Sequence, residues 1–400
     1  MPTRKEIGTP RLSGPASILV DSRGLHSSGI GRYLREILAV LFRDERFGRI
    51  ELLGDPGAVR EFCAGMPHAE KARVRAYPYG FYSPGAQTEW LRLRATGGLR
   101  ADVAFFPHYD VPLFALPSRS VVTVQDLIHF KVPSAFPRWR RSAAGVLLRR
   151  AVQGAGRVLV SSGSTLRDLE DRFPGLGIKV GVVPLGVSPF FSVPETGGPE
   201  RGPGRIGGAY LLCVGNRKPH KNLAAAIEAL AHLRHEAPDL RLVIVGDVFR
   251  GWESVLGRAD ELGVRERLVE VSGASDADLR ALYAGCEALL FPSLYEGFGL
   301  PALEAMASGA PVVASNRSSV PEVVGDAGLL VDPEDPRGFA EAVLRLRRDP
   351  ALREQLVRRG RERAARFTWE RTATATADVL FEVAGGEVSG RSGASGTDVR

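Results

Sequence analysis

Short apolar runs rich in β-branched residues alternate along this chain with stretches whose apolar positions recur every three to four residues. The first group of runs is "SILV" 17–20, "IELL" 50–53, "RVRAY" 73–77, "DVAFF" 102–106, "SVVTV" 120–124, "RVLV" 157–160 and "IKVGVV" 178–183. Between them lie helical stripes such as Leu34, Ile37, Leu38 and Leu41. This alternation predicts βαβ units, and therefore a parallel sheet covered on both faces. The rhythm stops at "GVSPFFSVPETGGPERGPGRIGG", residues 186–208, where proline and glycine are dense and no period survives. It resumes with "YLLCV" 210–214, "LRLVIV" 240–245, "RLVEV" 267–271, "EALLF" 287–291, "PVVA" 311–314 and "GLLV" 328–331. A helix over 222–236 carries Leu223, Ile227 and Leu230 on one face, and Ser275 with Asp278 reads as a capping box.

The fold class expected is therefore α/β, with two doubly wound, Rossmann-like parallel-sheet domains facing a central cleft. Their bounds are drawn at 16–190 and 209–370, with 371–385 a last helix able to cross back to the first domain. Residues 1–15 and the Gly/Ser-rich 386–400 are expected to be disordered tails. A length of 400 residues agrees with two cores.

Composition narrows the partners. No apolar run approaches the roughly 20 residues a membrane-spanning helix needs, and "MPTRKEIGTPRLSGP" lacks the apolar core of a signal peptide. A cytoplasmic location is expected. Cys63, Cys213 and Cys286 are scattered in apolar surroundings and read as buried thiols. The net charge of +7 favours anionic partners: nucleotide sugars, acidic lipid surfaces or nucleic acid. One segment, "FPRWRRSAAGVLLRRAVQGA" 136–155, is a basic amphipathic helix with Trp139, suited either to a solvated Rossmann helix or to peripheral contact with an anionic membrane.

Only six of the 53 basic residues are lysine, yet two of those six, Lys218 and Lys221, fall within "NRKPHKN". Following strand 210–214 and Gly215, that loop offers an ammonium and a helix start to an anion such as a diphosphate. After strand 287–291 comes "PSLYEGFGLPALEAMASGAP", in which Glu296 and Glu304 are separated by seven residues. Pro301 suits the first position of a helix stopped by Gly309, which puts Glu304 in its first turn. The N–H groups of Gly297, Phe298, Gly299 and Leu300 are then free for phosphate oxygens, Glu304 for ribose hydroxyls and Glu296 for a sugar. Paired carboxylates also serve glycoside hydrolysis, but there both acids must serve the scissile bond, whereas here one is taken by the nucleotide.

The Glu296 to Glu304 block resembles the signature of the retaining nucleotide-sugar glycosyltransferases of family four, which have the GT-B fold. The resemblance runs through "VDSRGLHSSGIGRYLREIL", "VVTVQDLIHFKVP", "VLVSSGSTLRDL", "VVPLGV", "LLCVGNRKPHKN", "VSGASDADLRALYAGCEALLFPS" and "FTWERTA", in the family's order. In style the chain is similar to bacterial mannosyltransferase-like enzymes of surface polysaccharide assembly, with GDP-mannose, or alternatively a UDP sugar, as donor. The resemblance implies an acceptor-binding first domain and a donor-binding second domain. It implies that Lys221 holds the donor diphosphate, Glu304 the ribose and Glu296 the donor sugar, with Gly297 to Leu300 giving amides to sugar and β-phosphate. Gly273 and Ala274 match the loop on the nucleobase, and Gly29 and Gly31 a glycine loop closing over the donor phosphate. Two positions depart from the family. Asn216 stands where an arginine often follows Gly215, leaving Arg217 as the second diphosphate cation. Gln125 stands where a histidine often precedes Asp126, and His129 and His108 are the nearby histidines that could replace it.

The implied activity is hexosyl transfer with retention, with Glu296, Lys221, Asp126 and Gln125 as the catalytic set. The acceptor is a glycan or a lipid-linked saccharide; no cofactor, no metal and no nucleic acid are expected. Two alternatives share the fold: a sugar-nucleotide epimerase or phosphorylase, and a nucleotide-binding partner subunit with little catalysis.

Overall fold

The computed structural model describes residues 12–175, 179–192, 206–249 and 251–386. Most of the two tails, and part of the 186–208 break, lie outside the described residues.

The first domain holds β1 (Ala16–Asp21), β2 (Phe47–Gly54), β3 (Ala72–Ala76), β4 (Val103–Phe106), β5 (Ser120–Val124), β6 (Arg157–Val160) and β7 (Val180–Val182). They form one sheet in the order β3-β2-β1-β4-β5-β6-β7, and every pair is parallel. Its helices include α1 (Ser28–Arg43), α4 (Ile128–Lys131), α5 (Arg138–Gly154) and α6 (Gly163–Arg172). The α1 stripe of Leu34, Ile37, Leu38 and Leu41 is fully buried, and each such side chain contributes on the order of 1.5–3 kcal/mol.

The second domain holds β8 (Tyr210–Val214), β9 (Arg241–Val245), β10 (Leu268–Val271), β11 (Ala288–Phe291), β12 (Val312–Ser315) and β13 (Leu329–Val331) in the order β10-β9-β8-β11-β12-β13, again parallel throughout. In both sheets the order reverses beside the first strand, between β1 and β4 and between β8 and β11. Loops leaving neighbouring strands diverge there and open a crevice at the strand C-termini. Helix α7 (Leu223–His232) is shorter than the 222–236 pattern, because its last carbonyls are met by a tight turn at Leu233. The Ser275–Asp278 capping box opens α9 (Asp276–Gly285) with both reciprocal bonds formed.

Two crossings join the domains. Val187 bridges to Thr368, and α14 (Trp369–Ala384) then packs on α1, β4 and β5 of the first domain. Gly186 permits this crossing, since a Cβ there would stand 2.1 Å from the Trp369 nitrogen. One apolar cluster consequently runs from α1 through α14 and Phe191 to Phe298 and Met306 of the second domain. The three cysteines are free thiols, with Cys213 and Cys286 buried.

Candidate active site

A cleft of about 470 Å³ lies between the domains, walled by the loops after β8 and β11 on one side and by α1 and the loop after β5 on the other. Gly215, Asn216, Lys221, Glu296, Gly297, Phe298, Gly299, Leu300, Glu304, Gly29, Gln125 and Asp126 all line it.

The β8 loop turns at Gly215, whose φ of +133° disfavours other residues. Lys221 folds back over that glycine and its Nζ donates to Glu296 Oε1 at 2.7 Å. The ammonium also lies 5.2 Å from the centroid of the Phe291 ring. The two loops are tied together by the Leu294 N–H, which donates to the His220 carbonyl at 2.8 Å. Burial alone would raise the Glu296 carboxyl, but Lys221 foremost, with His220, outweighs it and holds Glu296 below its usual range. Burial pushes His220 down to about 4, so it stands neutral beside the ammonium.

The turn at 296–299 is held by its carbonyls. Ser318 and Ser319 donate to the Glu296 oxygen, Ser319 also to that of Phe298, and Ser161, Ser162 and Thr165 of the first domain to that of Gly297. With these oxygens engaged, the N–H groups of Gly297, Phe298, Gly299 and Leu300 have no partner among the described residues. Gly299, at φ +116°, caps α10 (Leu300–Ala307). The cleft therefore meets a row of free amides at the positive end of a helix.

Pro301 is the second residue of α10, so Glu304 lies beyond the first turn and is buried. It is not a dipole-stabilising surface acid. Arg32 of α1 pairs with it and with Asp276, and the Tyr283 hydroxyl donates to its Oε2 at 3.0 Å. Burial pushes the Glu304 carboxyl up to about 7, against the opposing pull of Arg32. The cleft thus carries two acids of opposite tendency, one charged by its ammonium and one near the midpoint of its titration.

Across the cleft the two domains touch closely. A Cβ on Gly297 would lie 2.1 Å from the Gln125 carbonyl oxygen, so only glycine allows this approach. Tyr295 enters the first domain's core, accepting from the Leu127 N–H at 3.2 Å and donating to Asp168 at 2.9 Å. Burial raises the Asp126 carboxyl, with Glu296 adding to the rise and the Ile128 N–H, Lys218 and Lys221 opposing it.

Several expected residues stand elsewhere. Arg217 turns from the cleft: its side chain is buried, paired with Glu270 and stacked over Trp252. Lys218 lines the cleft in its place. Gly31 is a packing residue, whose Cβ would meet the Leu25 carbonyl oxygen at 2.5 Å. Gly29 faces open space at the α1 start, where first-turn N–H groups lack helical acceptors. Gly273 and Ala274 lie in the turn before α9, outside the cleft lining. His108 and His129 do not substitute for Gln125. The His108 Nδ1 accepts from the Asp110 N–H, His129 bonds Tyr109, and burial pushes them down to about 3 and about 4. Arg32, Ser161 and Tyr283 were missed; Arg32 directly follows the glycines of "SGIGRY", the one signal that marked it.

The family model for glycosyl transferases group 1 matches residues 204–363. The chain is 34% identical over 277 residues to the O-antigen chain mannosyltransferase B of Escherichia coli, covering 67% of this chain and 72% of that protein. It is 34% identical over 236 residues to the MMP alpha-(1->4)-mannosyltransferase of Mycolicibacterium hassiacum, covering 58% and 55%. Among solved structures, Anabaena Alr3699/HepE in complex with UDP and glucose superposes with a TM-score of 0.71 at 17% identity, over 92% of this chain and 100% of that one. WaaG, a glycosyltransferase involved in lipopolysaccharide biosynthesis, superposes at 0.68 with 18% identity, over 91% and 99%. These structural likenesses bear on the fold, which is GT-B.

Proposed function

The chain belongs to the glycosyl transferases group 1 family, and from that premise we propose that it moves a mannosyl group, with retention, from GDP-mannose to a lipid-linked saccharide. The observation that carries the reading is the row of four unbonded amides at 297–300 opposite Lys221. A nucleoside diphosphate supplies what that row lacks, an oxyanion array, and brings a ribose within reach of Glu304. Its arrival exchanges the Lys221–Glu296 pair for a Lys221–phosphate pair and frees Glu296 for the sugar hydroxyls.

In the reaction the acceptor oxygen bonds to the anomeric carbon as the bond from that carbon to the phosphate oxygen breaks. The electron pair and the acceptor's proton both pass to that phosphate oxygen. Lys221, Lys218 and the amides stabilise the charge growing there, which lowers the barrier more than it favours the ground state. Gln125 and Asp126, on the facing wall, orient sugar and acceptor hydroxyls. A same-face path needs no protein nucleophile, and the anomeric configuration is kept. The cations and amides do the neutralising that a metal would otherwise supply. Asp276 and Asp278 are committed to Arg32 and to the α9 cap.

Membrane contact fits α5, which exposes Trp139 and Val146 beside its arginines. No helix among the described residues is long and apolar enough to cross a membrane. Incubating the chain with GDP-mannose and a lipid-linked saccharide, with and without EDTA, tests the reading. A product with the donor's anomeric configuration, formed equally in EDTA, is expected. An inverted product, or turnover lost on chelation, contradicts it.

A further inference from the structure

Next to the loop that carries Asp126, the first domain holds a second cavity, of about 840 Å³, walled by α4, α5 and the C-terminal end of α6. Arg138, Arg141, Arg149 and Arg172 line it, and no carboxylate does. Arg141 is half-buried and the other three are exposed; several buried or half-buried arginines elsewhere are paired with carboxylates, Arg23 with Asp21 and Asp110, Arg46 with Asp44 and Asp378, Arg217 with Glu270. None of these four has a carboxylate partner among the described residues. The Arg141 Nε is buried with no hydrogen-bond partner. Arg172 lies 3.9 Å from the Phe130 ring centroid and Arg149 5.8 Å from that of Phe173, so aromatic faces hold these cations without neutralising them.

Like charges gathered around one cavity repel each other, and a bound anion relieves that repulsion. Beside His129 and Ser142, the lining carries the apolar Phe130, Pro133, Val146 and Phe173, which suit an anion attached to hydrocarbon. Gly145 keeps the room open: a Cβ there would already meet Phe130 and Arg172 at 3.8 and 3.7 Å. We propose that this cavity seats the phosphate-bearing head of an amphiphile, a phosphate or diphosphate joined to a hydrocarbon chain. Calling that amphiphile the acceptor rests on the function proposed above. Helix α4 begins two residues after Asp126, so a saccharide carried by the seated phosphate extends toward the donor cleft.

Calorimetric titration of the full chain with octyl phosphate tests the site. Octyl phosphate binds, inorganic phosphate binds at least about tenfold more weakly, and octanol does not bind. Arg141→Ala and Arg172→Ala each weaken octyl phosphate about tenfold, the effect of one charge-assisted hydrogen bond. Gly145→Leu keeps every charge but projects a side chain against Phe130 and Arg172, and it weakens octyl phosphate binding at least about tenfold while binding of GDP stays as in the wild type. Wild-type affinity in Gly145→Leu, or inorganic phosphate binding as tightly as octyl phosphate, overturns the proposal. Octyl phosphate bound as described by a chain that transfers no sugar supports the cavity and refutes only the enzymatic reading.

Discussion

The second domain gathers its cleft groups on two loops, Gly215 to Lys221 and Glu296 to Leu300, each leaving one of the neighbouring strands β8 and β11 beside the switch point. The first domain, with the same strand logic, contributes single groups from separate places: Gly29 and Arg32 from α1, Gln125 and Asp126 after β5, and Ser161 after β6. One wall is built in advance by glycines with positive φ and hydroxyl-capped carbonyls. The other is brought up to it through side-chain contacts that cross the cleft. Under the proposed function, the difference separates a binding wall, whose groups meet the diphosphate, from a closing wall, whose groups set how tightly the cleft shuts.

That distinction can be broken by substitution. Lys221→Ala removes the principal cation of the binding wall, and turnover should fall by about 10²–10³-fold, with the chain still folded but its melting temperature lowered because buried Glu296 loses its partner. Near-normal turnover would put the diphosphate elsewhere. Gly297→Ala acts on closure: its methyl collides with the Gln125 carbonyl, and a retreat of about 1 Å should cost about 10²-fold in turnover. Small-angle scattering should show the variant more open, and an unchanged radius of gyration would contradict the closing role.

A third test uses pH. Glu304 lies near 7 in the fold against an ordinary 4.5. The native state therefore holds this proton between those values, so the stability it contributes is full below 4.5 and lost as pH rises through about 7. Ribose hydroxyls donate to the charged form, so donor affinity should rise with pH, by up to about tenfold from pH 6 to pH 8. Glu304→Gln should flatten that profile; a slope equal to the wild type's would exclude Glu304 as the ribose acid. The smallest effect on activity belongs to Arg217→Ala. Breaking its pair with Glu270 should lower stability by about 2 kcal/mol, read as a lower melting temperature, with kcat close to wild type. A large loss of kcat would return Arg217 to the diphosphate.

The same contrast explains what the sequence carried. Strands β5, β6 and β8 begin and end at the residues their apolar runs mark, because a strand buried on both faces is apolar at most of its positions. The binding wall was equally readable, since its groups follow one another along the chain. Arg32 was not, because its partner Glu304 is 272 residues away and only the docking of α1 against α10 makes the pair. Arg217 misled for the complementary reason: it sits in the right loop, but Glu270 and Trp252 from two other elements draw its side chain aside. Glu304 was found, yet it lies one position further into the helix than expected, because α10 begins at Leu300 and Pro301 is its second residue instead of its first.

A crystal structure of the chain with an intact nucleoside diphosphate sugar is the most direct test. Phosphate oxygens should lie within hydrogen-bond distance of Lys221 and the 297–300 amides, with the ribose on Glu304 and the hexose facing Glu296 and Asp126. A nucleotide bound away from those amides, with Lys221 still paired to Glu296, would contradict this placement.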